Sequence, residues 1–279
     1  MDIKPADVKK LRDTTGAGMM DCKNALIKAE GDFKAAEKLL KEEGLAAAAK
    51  RSGRATNEGK IFTSIKAGKA AIIELTCETD FVAMNENFIN TGEALVEKVV
   101  NNGITSVTPE LEEDVKGTIA KIKENISLRR LQYIEFSENE VVVDYVHGSK
   151  IGVIVKLEAD SKEIAENAKV KEFAFDLALH VAAFNPLYLS RDKVNADYLK
   201  EQEEIFTTQA AKLDKPEKIL KGIIQGKLNK HLAEICLLNQ GFVKDEKQSV
   251  EKVLAALGKE LGGKIAISDY IFYKLGEEL

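Results

Sequence analysis

The sequence predicts an α+β protein: a small three-helix module, then two related α+β halves with antiparallel sheets, and a helical hairpin inserted in the second half. Three observations predict it. Apolar residues recur at helical spacing through residues 1–44. Two segments, KIFTSIKAGKAAIIELTC and VVVDYVHGSKIGVIVKLEAD, alternate in character around a glycine-containing turn, and helical spacing follows each. A long charged stretch, KVNADYLKEQEEIFTTQAAKLDKPEKILKGIIQGKLNKHL, keeps helical period on both sides of one proline. The boundaries that follow are 1–54 for the helical module and its linker, 55–140 for the first half and 141–279 for the second, with the insert at about 193–230.

The elements are justified in turn. Pro5 suits a first helical turn, and Val8 and Leu11 share one face of that helix. Gly16 and Gly18 break it. The second helix carries Cys22, Ala25, Leu26 and Ala29 at i, i+3, i+4 and i+7, and Gly31 ends it. Asp32 is an N-cap for a third helix that buries Ala36, Leu39 and Leu40 and is expected to stop near Gly44. The alanines after it favour helix again, and SGRATNEG reads as a flexible joint that makes the module mobile. The first hairpin turns at Ala67-Gly68. In its second strand Ala71, Ile73, Leu75 and Cys77 share one face, and Glu74 and Thr76 share the other. Helices with Phe88, Leu95 and Val99, then Leu111, Val115, Ile119 and Ile122, follow. The second hairpin turns at His147-Gly148, and a helix with Phe173, Leu177 and Val181 comes after it. In the insert, LDKPE supplies the turn and Pro216 opens the second helix. The tail GGKIAISDYIFYKLGEEL has strand composition and closes a sheet.

Composition narrows the function. With 279 residues the chain can bury a sizeable core, and 44% hydrophobic with 31% charged residues suits a soluble globular protein. A formal net charge of −5 argues against general nucleic-acid binding, which needs basic patches to neutralise phosphates. No apolar run reaches the roughly 20 residues of a membrane span. The opening MDIKPADVKKLRD carries acidic residues and no apolar segment, so it reads as neither a secretory signal nor a transit peptide, and a cytoplasmic location is expected. Three distant cysteines, Cys22, Cys77 and Cys236, argue against a disulfide framework, and no Cys-x-x-Cys pair offers a metal site. No cofactor is expected.

Motifs for catalysis are missing. No phosphate-binding loop ends in Gly-Lys-Ser/Thr, and GAGMMD lacks a third glycine and a preceding strand. Pairs such as Asp13 with Asp21, or Glu112 with Glu113, read as solvated helix faces. His180, in FDLALHVAAF, reads as a packed or interface residue, because an acid–base role needs a partner that cannot be named. Cys77, on an apolar strand face, reads as inert packing. The chain reads as a binder rather than an enzyme.

CETDFVAMNENF, at 77–88, leaves a strand with an acid beside a large aromatic. On the residues alone, Phe81 either folds into the core, with Asp80 capping a helix, or is displayed for a partner. Met19 and Met20 are either core filler or adaptable contact surface.

VKKLRDTTGAGMMDCKNAL at 8–26 is similar to the N-terminal signature of bacterial elongation factor Ts, and TDFVA at 79–83 resembles that family's second signature. KENISLRR, HGSKIGV, ALHVAA and GFV extend the resemblance in the family's order along nearly the whole chain. The resemblance implies a guanine-nucleotide exchange factor for elongation factor Tu, with a ubiquitin-associated-like three-helix domain, two α+β halves and a coiled-coil hairpin. It implies that Thr79, Asp80, Phe81 and Val82 meet the GTPase and dislocate its Mg²⁺. It places Leu11, Arg12, Met19, Met20 and Lys23 on a second partner contact, and His147 and Gly148 on a third. It implies elongation factor Tu as partner, with room for a higher-order complex; from the charge and the lack of an apolar span, no direct nucleic-acid or membrane contact is expected. Some members continue into a C-terminal helical module; this sequence ends at YKLGEEL, so that contact is expected to be missing. The competing reading is a ubiquitin-associated-type adaptor without exchange activity, which requires Phe81 to be buried.

Overall fold

The computed structural model describes residues 3–213 and 215–278, apart from the side chains of Leu45 and Ala47. The first two residues of the opening segment, and Asp214 in the expected LDKPE turn, lie outside the described residues. Helices and antiparallel strands mix as an α+β protein requires. They form two compact units. The first holds residues up to Glu135, Gly148–Ile151 and the stretch from Tyr273; the second holds Phe136–His147 and Gly152–Phe272.

The first unit opens with α1 (Pro5–Thr15), α2 (Met19–Lys28) and α3 (Phe33–Arg51). Pro5 starts α1, and Gly16 at φ 69° ends it, donating its N–H to the Arg12 carbonyl. The Asp32 carboxylate caps α3 by accepting from the Ala35 N–H at 3.0 Å. Val8, Leu11, Cys22, Ala25, Leu26, Ala36 and Leu40 make the module's small core.

The expectation that α3 stops near Gly44 is wrong. The helix runs seven residues further, and a Cβ at Gly44 would stand 2.5 Å from the Ala120 side chain. Glycine is there for close helix packing, not for termination. Beyond it Ala48 enters the core of the same unit. Lys41 pairs with Glu113, and Lys123 with Asp21. The module is packed against its unit through these contacts.

Next come β1 (Glu58–Lys66) and β2 (Lys69–Cys77), joined by the expected turn, with Gly68 at φ 75°. Then follow α4 (Asp80–Ala83), α5 (Glu86–Asn102), α6 (Pro109–Ile122) and β3 (Ile126–Glu135). β3 is an unexpected third strand, and β2 lies in the middle of the β1-β2-β3 sheet. Ala71, Ile73, Leu75 and Cys77 pack on Phe88, Leu95, Val99, Leu111 and Ile119 from the helices. On β2's other face Glu74 is also buried, between Arg129 and Arg130. The β2–β3 register shifts at Glu74/Leu75, so both adjacent arginines reach one carboxylate.

In the second unit, β4 (Glu140–His147) and β5 (Ile151–Ala159) lead to α7 (Lys162–Glu166) and α8 (Ala168–Phe184). The turn between these strands spans Gly148–Lys150, one residue beyond the expected position, with Gly148 at φ 56°. α9 (Ala196–Ala210) and α10 (Glu217–Ile235) form the helical hairpin. They run antiparallel: Tyr198 meets His231 at 2.8 Å, and further along Lys227 donates to Gln209 at 2.7 Å. β6 (Gly241–Phe242), β7 (Asp245–Ser249), α11 (Val250–Leu261) and β8 (Ile265–Lys274) complete the unit. β8 joins the sheet in the order β4-β5-β8, so the tail is a strand as expected. β6, β7 and α11 had not been read from the sequence.

His180 sits in this unit's core. Its Nδ1 accepts the Val243 N–H at 3.2 Å and therefore carries no proton. Its Nε2–H then donates to Gln240 Oε1 at 2.9 Å, and the Gln240 amide donates to the Glu234 carbonyl. This is a satisfied packing histidine, not a base with an orienter. Burial holds its pKa below the ordinary 6.5, against the opposing Gln240 hydrogen bond. An unfolded imidazole binds protons below about 6.5 more readily than the folded one. His180 thus contributes stability above that pH and loses it as pH falls through its lowered folded value. Urea midpoints measured from pH 7.5 down to 5.5 should drop more steeply in the wild type than in His180→Gln. Equal slopes would contradict this assignment.

Candidate functional site

β2 delivers the chain to the TDFVA segment from the middle of a sheet. Cys77, at the strand end, is buried, and its thiol donates to the Thr79 carbonyl at 3.1 Å. Burial first, and the nearby Glu124 charge second, push its pKa up to about 12. It is packing, as its strand face predicts.

Thr79 is the N-cap of α4, the role the core-facing reading had given to Asp80. Its Oγ1 accepts the Val82 N–H at 3.3 Å. Its own N–H and Oγ1–H both donate to the Glu124 carboxylate, at 3.1 and 2.9 Å. Asn85 begins the next cap, accepting from the Asn87 N–H at 2.9 Å. A single helical turn thus stands between two capped starts. Its Val82 and Ala83 enter the core with Phe88 and Leu95.

Helix geometry then decides where Phe81 goes. Val82 and Ala83 take the buried face, and residues at i and i+3 share the other. Phe81 is 82% exposed and Met84 is 70% exposed. Asp80, before them, is also exposed. A large apolar surface left in water on a well-anchored turn is the feature that needs a partner. Met84 was not picked out from the sequence, although its spacing from Phe81 carried the signal. Val82 belongs to the anchor rather than to the display.

The small module presents a second such face. Arg12, Met19, Met20 and Lys23 are exposed. Leu11 must be corrected: it is fully buried in the module's own core and cannot touch a partner. Its spacing from Val8 puts it on the inner face of α1. Ile27, missed in the sequence, is 53% exposed and shares the outer face of α2 with Met20 and Lys23 at i, i+3 and i+7. In the second unit, His147 is exposed at the end of β4, where the Tyr145 hydroxyl meets its Nδ1 at 2.9 Å. Phe175 of α8 lies edge-on to Tyr145, a neighbour not anticipated. Gly148 is exposed in the following turn.

Among the described residues no group of three or more His, Cys, Asp or Glu could hold a metal ion, and no helix is long and apolar enough to cross a membrane. The exposed surfaces offer apolar contact and charge.

A family model described as Elongation factor TS matches residues 78–277. An Elongation factor Ts of Treponema denticola is 49% identical over 277 residues, covering 99% of each chain. Those of Borrelia hermsii and Borreliella burgdorferi are 46% and 47% identical over 278 and 276 residues, with at least 98% of each chain covered. With the displayed turn inside the matched segment and the helical module inside the full-length matches, this chain belongs to the elongation factor Ts family of translation elongation factors.

Proposed function

We propose that this chain is a guanine-nucleotide exchange factor for elongation factor Tu, acting in the cytoplasm as a binding protein and not as an enzyme. The observation that carries the reading is the exposure of Phe81 on a turn capped by Thr79 and followed directly by the Asn85 cap of α5. It favours this reading over an adaptor, which needs the N-terminal module alone to carry binding and Phe81 to be buried.

A GTPase of this kind holds GDP through backbone amides, a phosphate loop and Mg²⁺. An exchange factor must favour the state that holds nucleotide poorly. Phe81, entering an apolar pocket that opens only in that state, contributes about 1.5–3 kcal/mol of differential binding. Each tenfold loss of GDP affinity needs about 1.4 kcal/mol. Phe81 alone can therefore weaken GDP roughly ten- to a hundredfold. Asp80 acts beside it on polar groups around the Mg²⁺ by charge and hydrogen bonding. Thr79 and Val82 set the shape of the turn. Arg12, Met19, Met20 and Lys23 supply a second contact that keeps the partner bound while the nucleotide leaves, and His147 with Gly148 a third.

Linkage makes the effect reciprocal: whatever the chain does to GDP affinity, GDP does to the chain's affinity. Titration against elongation factor Tu should show binding at least tenfold tighter to the nucleotide-free GTPase than to its GDP complex. Equal affinities would overturn the exchange reading.

A further inference from the structure

KENISLRR is a recognisable motif, yet it supplies none of the display residues. Its first residues gather in one place. Lys123, at φ 67°, ends α6 in a left-handed turn that reverses the chain into β3. Its ammonium pairs with Asp21 of α2 at 2.7 Å. The Asn125 N–H donates to Glu78 at 2.6 Å, and the Asn125 side-chain amide donates to the Arg54 carbonyl at 2.7 Å. Between them, half-buried Glu124 takes both donors of Thr79. Three consecutive residues thus touch the display turn, the small module and the module's linker.

We infer that Glu124 is the positioning residue for the Asp80–Phe81 turn. This deepens the exchange-factor reading and rests on it. The Thr79 N–H and hydroxyl have three hydrogen-bonding duties at once. Thr79 caps α4 through its hydroxyl oxygen, and it points both its N–H and its O–H at Glu124. With the hydroxyl proton committed to the carboxylate, the oxygen lone pair is fixed on the Val82 N–H. Glu124 therefore sets the rotamer of the cap, and the cap sets the direction of Phe81. Glu78, on the other side of Thr79, is held by Asn125 and Arg54, so the strand exit cannot twist to compensate. An exposed aromatic gains affinity from being pre-oriented, because less freedom is lost on docking.

A double-mutant cycle in GDP release from elongation factor Tu tests this, using the full chain at saturating concentration. Glu124→Ala should slow maximal release about tenfold in the wild-type background and less than about twofold in Phe81→Ala, since a misdirected Phe81 and a missing one are equivalent. Glu124→Gln keeps one acceptor for two donors and should fall between. A purely structural role predicts the same fold loss in both backgrounds, and that result would overturn the inference. Amide hydrogen exchange at Thr79 and Val82 provides an arm that does not depend on the partner. Glu124→Ala and Glu124→Gln should lose protection there and keep it in β2. Unchanged protection defeats the positioning role even if the chain proves inactive toward GDP, whereas lost protection with an inactive wild type defeats only the exchange reading.

Discussion

Replacing Phe81 by alanine is expected to slow maximal GDP release from elongation factor Tu roughly ten- to a hundredfold, while the chain stays folded and still binds. Both halves of that result follow from one number. Phe81 is 82% exposed, so its ring contributes little to the chain's own core. Substitutions at such positions change stability by less than about 0.5 kcal/mol. Its apolar surface is available only to a partner. The loss should persist at saturating concentration, because the second contact proposed for Met19, Met20 and Lys23 is untouched. Stopped-flow release and a urea midpoint on the same preparation check the two halves together. Met84→Ala, three residues on, should show a smaller loss of the same kind.

The largest stability effect is expected at Glu74. Its carboxylate is fully buried and accepts from Arg129 at 2.7 Å, from Arg130 at 2.6 Å and from the Gly276 N–H at 2.8 Å. Arg129 and Arg130 also donate to the Glu277 and Lys274 carbonyls, and Arg130 lies over the Tyr273 ring at 4.0 Å. Glu74 thus bridges two guanidiniums, with the Glu277 carboxylate also 3.4 Å from Arg130, and holds the chain's C-terminal segment to the first unit's sheet. Glu74→Ala leaves Arg129 without its carboxylate and Arg130 with Glu277 alone, and should cost about 3–5 kcal/mol, read as a lowered urea midpoint. Glu74→Gln keeps the shape and some of the hydrogen bonds and should cost less. A change under about 1 kcal/mol in Glu74→Ala would mean that solvent already compensates these charges.

What was legible in the sequence followed from periodicity. Alternation over KIFTSIKAGKAAIIELTC gave the first hairpin with its turn, and the Asp32 cap and Pro216 gave helix starts in the right places. β3 was hidden because Arg129 and Arg130 break alternation, and they do so because the register shift turns both toward Glu74. Gly44 misled because a glycine that permits close packing looks the same in sequence as one that ends a helix. β6 is two residues long, too short for a period to show. At the site, a single residue after a strand has no period at all, so the residues alone leave Phe81 open between core and display; the resemblance chooses display, and Val82 and Ala83 on the inner face leave Phe81 exposed. Leu11 failed for the opposite reason. Similarity carried over a region, while the spacing from Val8 already gave the face. Glu124 lies within the KENISLRR motif, but its contact with Thr79 spans 45 residues and leaves no local pattern.

The most direct measurement is the rate at which fluorescent GDP leaves elongation factor Tu when this chain is added at saturating concentration. The account predicts release faster by at least tenfold than from the GTPase alone. Release at the unassisted rate, with binding shown in the same sample, would contradict it.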